Sequence, residues 1–250
     1  MSGYSFGTLS GGCMHNADGE APLTRTVAIV DNRDSFVYNL VDAIAVQGHF
    51  THVLRNSVSP AQVRGLRPDV IVLSPGPGHP HTAGNLMGIY QMARACEIPV
   101  LGICLGFQAI LSAHGAEVRP CGPVHGITDS LSLTSAGRRS PLFAGLADPA
   151  TKRAVPIARY HSLGCTELPP GLTALGFSAS QAGPVVMAAV DDEAAPTEIG
   201  LQFHPESLLT PDGPVLLHRC LEALGRHTKE RGRNGARRDE AGGGGEQCFT

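Results

Sequence analysis

At 250 residues and 42% apolar content, the chain is long enough for a sizeable core and too apolar to be disordered throughout. A net charge of −3 gives no reason to expect nucleic acid or a membrane surface as a partner, and no apolar stretch approaches the ~20 residues of a membrane helix. The seven cysteines are odd in number, scattered and never arranged as C-x-x-C, which fits neither a disulfide framework nor a zinc site and points to a reducing, cytoplasmic location.

Residues 1–25 are Gly- and Ser-rich, carry no basic start followed by an apolar run, and read as a flexible extension. From Val27 the pattern alternates. Val27 to Val30 is an apolar strand, and Phe36, Leu40, Val41, Ile44 and Ala45 recur at helical spacing up to Gly48. Thr51 to Leu54 is a second strand, and a short helix starts near Pro60 with Ser59 as its cap. Val70 to Leu73 is a third strand, ending in Ser74-Pro75-Gly76-Pro77-Gly78. A helix around residues 84–96 follows, then a fourth strand from Ile98 to Ile103 and a helix from Leu105 to about His114.

Apolar strands alternating with helices imply a parallel sheet covered on both faces, with functional groups beyond the carboxyl ends of its strands. Beyond residue 118 the texture changes to short runs such as Val185 to Val190 and Ile199 to Phe203, read as a mixed or antiparallel edge. The polar stretch from Ser135 to Ala154 reads as an insertion, and a final helix is expected from about Pro214 to Leu224. The expectation is therefore a three-layer α/β domain over residues 26–225, with helices on both faces of a mostly parallel sheet. Residues 226–250 hold six of the nineteen Lys and Arg, then a glycine run, and read as a disordered tail.

The strongest chemical signal is Gly102-Ile103-Cys104-Leu105-Gly106, where a strand runs straight into a helix. Gly-x-nucleophile-x-Gly is a sharp elbow, with glycines where neighbouring backbone leaves no room for a Cβ. The helix N-terminus beyond it favours a thiolate and offers an N–H to a developing oxyanion. The alternative, a buried structural thiol, is what Cys96, Cys121, Cys165 and Cys220 are taken to be.

A thiol nucleophile needs an imidazole near it in space. Among eleven histidines, His204 ends the run Ile199 to Phe203 and is followed by Pro205-Glu206, so Glu206 could orient its ring. Taken alone, that segment fits an ordinary surface turn equally well. Paired with the elbow it becomes a Cys–His–Glu triad. His79 and His81 lack partners at ligand spacing, and no metal site is expected.

Together these segments resemble the class I (triad) glutamine amidotransferases, in particular the glutaminase subunits of anthranilate synthase and 4-amino-4-deoxychorismate synthase. The resemblance is carried by Gly102 to Gln108 and by Gln202-Phe203-His204-Pro205-Glu206-Ser207, together with Asp31 to Leu40, Ser74 to Gly78 and Arg159-Tyr160-His161-Ser162-Leu163. It implies a flavodoxin-like fold and attack by Cys104 on the side-chain amide of L-glutamine, with His204 moving protons and Glu206 orienting it. It also implies an oxyanion hole from the N–H groups of Gly76 and Leu105. Gly76, Pro77, Gly78, Gln108, Ser162 and Leu163 would hold the substrate.

Phe107 departs from a histidine common among the relatives, and Asp191-Asp192-Glu193-Ala194 stands where they often place a basic turn. Gly76-Pro77-Gly78 is followed by no Lys-Ser or Lys-Thr, so it is no phosphate-binding loop, and no cofactor is expected. The implied partner is a separate chorismate-binding synthase subunit that uses the ammonia. Alternatives are service to another synthase, hydrolysis of γ-glutamyl peptides, and a scaffold subunit without turnover.

Overall fold

The computed structural model describes residues 24–148 and 154–240, with side chains described up to residue 226. Nine strands form one sheet. Five of them are parallel: β2 (Phe50–Arg55), β1 (Thr26–Asp31), β3 (Val70–Leu73), β4 (Val100–Ile103) and β11 (Glu198–Leu201), in that order. Beyond β11 the sheet continues antiparallel through β10 (Val185–Val190), β9 (Thr173–Ser178), β6 (Ile127–Leu133) and β7 (Ala154–Arg159). A separate ribbon pairs β5 (Arg119–Pro120) with β8 (Leu163–Gly164).

The period-2 alternation of strand side chains sorts the core onto two faces. From β1, Val27 and Ile29 pack with α1 (Val37–Ala45) and α6 (Gly213–Glu240), while Ala28 and Val30 pack with α2 (Pro60–Gly65), α3 (Leu86–Ala95) and α4 (Leu105–Ala113). β1, β3, β4, β10 and β11 are buried almost throughout, as strands covered on both faces must be. Each fully buried Leu or Ile contributes roughly 1.5–3 kcal/mol. The three-layer, mostly parallel architecture is the one expected from the sequence.

The cap on α2 is also as expected. Ser59 Oγ accepts from Gln62 N–H at 3.3 Å, Gln62 Oε1 accepts from Ser59 N–H at 2.9 Å, and Pro60 opens the helix.

At four places the structure refines or departs from the expectation. The segment Ile199 to Phe203 opens the mixed part of the sheet, where β11 pairs antiparallel with β10 and parallel with β4. β11 is the fifth parallel strand, beside β4, and is buried along its whole length. The stretch from Ser135 folds into α5 (Ser135–Arg139), capped by Thr134, and a 3-10 turn at Pro141–Phe143 whose Leu142 and Phe143 enter the core; residues 149–153 lie outside the described residues. The domain begins before residue 26, because Arg25 is 5% exposed and pairs with Glu222 on α6 at 2.7 Å. The rest of the expected N-terminal extension lies outside the described residues, Thr24 excepted.

The last helix runs well past Leu224, to Glu240, in place of the unordered tail that composition suggests. Lys, Glu, Arg and Ala are good helix formers, and composition read for burial alone does not register them.

Candidate active site

β4 ends at Ile103, and the chain enters α4 one residue later. Cys104 sits at that junction with φ +51° and ψ −102°, a region a side chain occupies only when its surroundings force it. Those surroundings are tight. Cys104 N–H donates to Leu201 O at 2.8 Å, and Gln108 N–H donates to Cys104 O at 3.0 Å. A Cβ on Gly106 would lie 2.1 Å from Leu73 O, and one on Gly102 would lie 2.7 Å from the Gly106 backbone. Both elbow glycines are therefore demanded by backbone approach rather than by φ.

The parallel register of β11 on β4 pairs Leu201 with Ile103 and so delivers Gln202, Phe203 and His204 beside Cys104. His204 is 3% exposed, and its Nδ1 lies 2.6 Å from Glu206 Oε1, a carboxylate whose side chain is fully buried. Thr210 Oγ1 donates to His204 O at 2.8 Å and accepts from Ala158 N–H at 2.9 Å, which anchors the turn to β7. Tyr160 and Phe36 meet the imidazole edge-on, with ring centroids at 5.1 and 6.3 Å. Burial pulls the imidazole pKa down, but the Cys104 thiol and the Glu206 carboxylate outweigh it and hold the pKa well above the ordinary value. The second ring nitrogen, Nε2, is buried and makes no well-formed hydrogen bond, so it is available to the thiol. With Glu206 holding Nδ1, the arrangement can carry a proton from sulfur to imidazole.

The triad opens into a cleft of about 640 Å³ lined by Pro75, Gly76, Pro77, Gly78, Gln108, Ser162 and Leu163 among others. A Cβ on Gly76 would lie 2.5 Å from Asn32 Cβ and O and 3.0 Å from Leu105 Cδ2, so this loop is wedged between the turn after β1 and the start of α4. Asn32 ties the two loops together. Its N–H donates to Ser74 Oγ at 2.9 Å, and its Nδ2 donates to Ser74 O at 2.8 Å. Gly78 has φ +86°, which only glycine adopts without strain. Cys104, His204 and the residues expected to hold a substrate thus line one cleft, with Glu206 held against His204.

His161 is hydrogen-bonded through both ring nitrogens. Burial and the Arg159 guanidinium lower its pKa to about 4, so the ring is neutral. Arg159 Nε donates to its Nε2 at 3.2 Å, which leaves Nδ1–H to donate to Leu163 O at 2.9 Å. Ser162 O in turn accepts from Cys121 N–H at 2.8 Å.

A model of the family described as "Glutamine amidotransferase class-I" matches residues 28–224. The chain belongs to this family. Anthranilate synthase component 2 of Corynebacterium glutamicum is 53% identical over 207 residues, covering 79% of this chain and 97% of that protein. The pyocyanine-specific anthranilate synthase component 2 of Pseudomonas aeruginosa is 40% identical over 200 residues, covering 78% and 92%. Aminodeoxychorismate synthase of Streptomyces griseus is also 40% identical, over 81% of this chain but 27% of that much longer protein. Among solved structures, a glutamine amidotransferase from Thermotoga maritima superposes with a TM-score of 0.59 at 18% identity, covering 81% of this chain and 98% of that one. That likeness concerns the fold.

Several residues of this amidotransferase site were not singled out from the sequence. Gln202 is wholly buried, and its Nε2 lies 3.5 Å from Cys104 Sγ. It is the one polar residue in the apolar run Ile199 to Phe203, a signal that was there to be read. Thr210, Asn32 and Arg159 act through contacts distant in sequence; Asn32 and Arg159 lie in segments that carry the resemblance, but their roles are not legible there. Phe107 is fully buried against β11, and a Cβ on Gly200 would fall 1.8 Å from its ring, so the Phe107 departure is accommodated by a glycine on the facing strand.

The turn Asp191 to Pro196 joins β10 to β11 at the end of β11 opposite the cleft. Asp191 there accepts from the N–H groups of Thr197 and Glu198 at 2.9 Å. Among the described residues, no group of three or more His, Cys, Asp or Glu could hold a metal ion.

Proposed function

We propose that this glutaminase hydrolyses L-glutamine through Cys104, His204 and Glu206 and passes the ammonia to a separate chorismate-aminating synthase subunit. The observation that carries the reading is Cys104, strained at an elbow and sharing one cleft with an imidazole whose far nitrogen is held by a buried carboxylate 2.6 Å away. Cys104 forms a glutamyl thioester. His204 gives its proton to the departing ammonia and then activates water, while Glu206 fixes the ring.

The N–H groups of Gly76 and Leu105 receive the oxyanion. Leu105 is the first residue of α4, so its N–H has no partner within the helix, and Gly76 lies against the same residue. Gln108 and the backbone of the Gly76-Pro77-Gly78 and Ser162-Leu163 segments hold the polar ends of the substrate. The chorismate-aminating partner is favoured by the 53% identity to an anthranilate synthase component 2 along nearly its whole length. A cytoplasmic setting fits a chain in which no described helix is long and apolar enough to cross a membrane.

The test is glutamate release by the chain with and without an anthranilate synthase or aminodeoxychorismate synthase large subunit. Cys104→Ala abolishes glutamine-dependent synthesis and leaves ammonia-dependent synthesis by the partner largely intact. Loss of both activities overturns the division of labour, and wild-type glutamate release by the variant removes Cys104 as nucleophile.

A further inference from the structure

Gln202 carries a chemical feature that none of the roles above uses. Its side chain is wholly buried between Cys104 and Gln108, with Nε2 3.5 Å from Cys104 Sγ and Oε1 3.2 Å from Gln108 Nε2. The two ends of a carboxamide differ in chemistry, so which end faces the sulfur matters, and the hydrogen-bond chain decides it. Leu163 O can only accept. The Gln108 atom 3.0 Å from it must therefore be the NH₂ group, as placed. That NH₂ also faces Gln202, where a second NH₂ would set donor against donor, so the facing atom of Gln202 is Oε1 and its NH₂ is turned to Cys104. Leu163 O is itself pinned by His161 Nδ1–H at 2.9 Å, whose tautomer is set by Arg159. A carbonyl on β8 thus dictates, through two amides, that an N–H donor points at the sulfur.

We propose that Gln202 is a further catalytic residue of the glutaminase reaction, donating its side-chain N–H to the Cys104 thiolate. The proposal rests on the reading of Cys104 as nucleophile. When the S–H bond breaks, the proton goes to the free nitrogen of His204 and the electron pair stays on sulfur. That negative charge is buried. The Gln202 N–H is a neutral donor preoriented toward it, and hydrogen bonds to charged acceptors are about twice as strong as neutral ones. The thiolate state is thereby favoured without a second positive charge that would compete with the imidazolium. As sulfur attacks and its charge moves to the substrate oxygen, the contact weakens and the oxyanion donors take over.

The experiment follows alkylation of Cys104 by iodoacetamide across the neutral and alkaline range, read on the Cys104 peptide by mass spectrometry in the full chain without substrate. Gln202→Leu removes the donor and moves the midpoint of the rate profile up by about one pH unit, a tenfold lower alkylation rate on the acid side of both midpoints. Gln202→Glu keeps an acceptor for Gln108 but presents a carboxylate oxygen to the sulfur, and moves the midpoint further in the same direction. It also decides the matter should Gln202→Leu fail to fold. In both variants the deficit in glutamine kcat shrinks as pH rises, which a packing defect alone does not produce. Folded variants with the wild-type alkylation profile overturn the proposal and leave the glutaminase reading standing. A shifted profile in a chain whose wild type releases no glutamate with any partner overturns the glutaminase reading instead.

Discussion

The elbow makes Gly106→Ala a sharp test of how the nucleophile is held. A Cβ there would stand 2.1 Å from Leu73 O, 2.6 Å from Leu73 Cβ and 2.8 Å from Leu73 C. These atoms belong to the end of β3, a buried strand paired on both sides, so they cannot swing away as a flexible side chain could. Restoring an ordinary C···O contact near 3.3 Å requires α4 to retreat by roughly 1.2 Å. Overpacking of this kind costs about 1–3 kcal/mol of stability. A displacement of about 1 Å at reacting groups costs about 100-fold in rate, because Cys104 and the Leu105 N–H move with the helix. Gly88→Ala is the matched control. It lies in the first turn of α3, its new Cβ finds nothing closer than Pro60 Cγ at 3.5 Å, and its φ is not positive. Alanine there should raise stability by about 0.5–1 kcal/mol and leave glutamine turnover unchanged. Thermal melts and glutamine kcat/KM on both variants, with ammonia-driven synthesis by the partner as a folding check, decide the matter. A Gly106→Ala chain with wild-type melting and turnover refutes the claim that backbone contact positions the nucleophile.

Glu206→Gln keeps the shape of the side chain but loses the charge beside Nδ1, and should lower glutamine kcat by roughly one to three orders of magnitude without abolishing it; an unchanged rate removes Glu206 from the triad. Gly200→Ala should destabilise the chain by about 1–3 kcal/mol through the clash with the Phe107 ring, and Phe107→Leu in the same chain should restore part of the loss; simple additivity in the melts counts against the contact. The hydrogen bond to Glu198 raises the His114 pKa above its ordinary 6.5, against the opposing pull of burial. A raised folded-state pKa means that the stabilisation is fully present below 6.5 and fades as pH climbs through the folded value. The melting advantage of the wild type over His114→Gln should therefore be largest on the acid side and shrink above neutrality; a flat difference refutes the linkage.

The parts of the fold visible in the sequence were those set by local chemistry. Ser59-Pro60 with Gln62 marks the start of α2 because both halves of a capping box lie within one turn. The elbow is legible because the glycines that permit it flank the cysteine they serve. The partner of β11 was not legible. Its short run Ile199-Gly200-Leu201 carries no mark of its neighbours, and that it pairs parallel on one side depends on a strand almost a hundred residues away, Val100 opposite Glu198. The helical state of residues 226–240 was not legible for a related reason, since composition argues about burial and not about backbone conformation. Gln202 stands in the same motif as His204 and Glu206, and only its burial shows that this lone amide of an apolar run finds partners at the sulfur and at Gln108.

The place of β11 in the sheet is also what makes the site cohere. Nucleophile and base come from adjacent parallel strands, so register alone places Cys104 beside the residues that follow Leu201. The same two strands are fixed at their other end. Glu198, which opens β11, accepts from Tyr90 Oη at 2.8 Å and lies 2.7 Å from Nε2 of His114, the residue that closes α4. Cys104 stands at the start of α4 and donates its N–H to Leu201 O. Helix and strand are therefore tied at both ends, and sliding one past the other would break a buried ion pair at one end and distort the elbow at the other. Removing one partner of such a pair costs about 3–5 kcal/mol, a large fraction of the stability of a typical domain. The strained φ of Cys104 persists because movement along β4 and β11 is closed off at both ends.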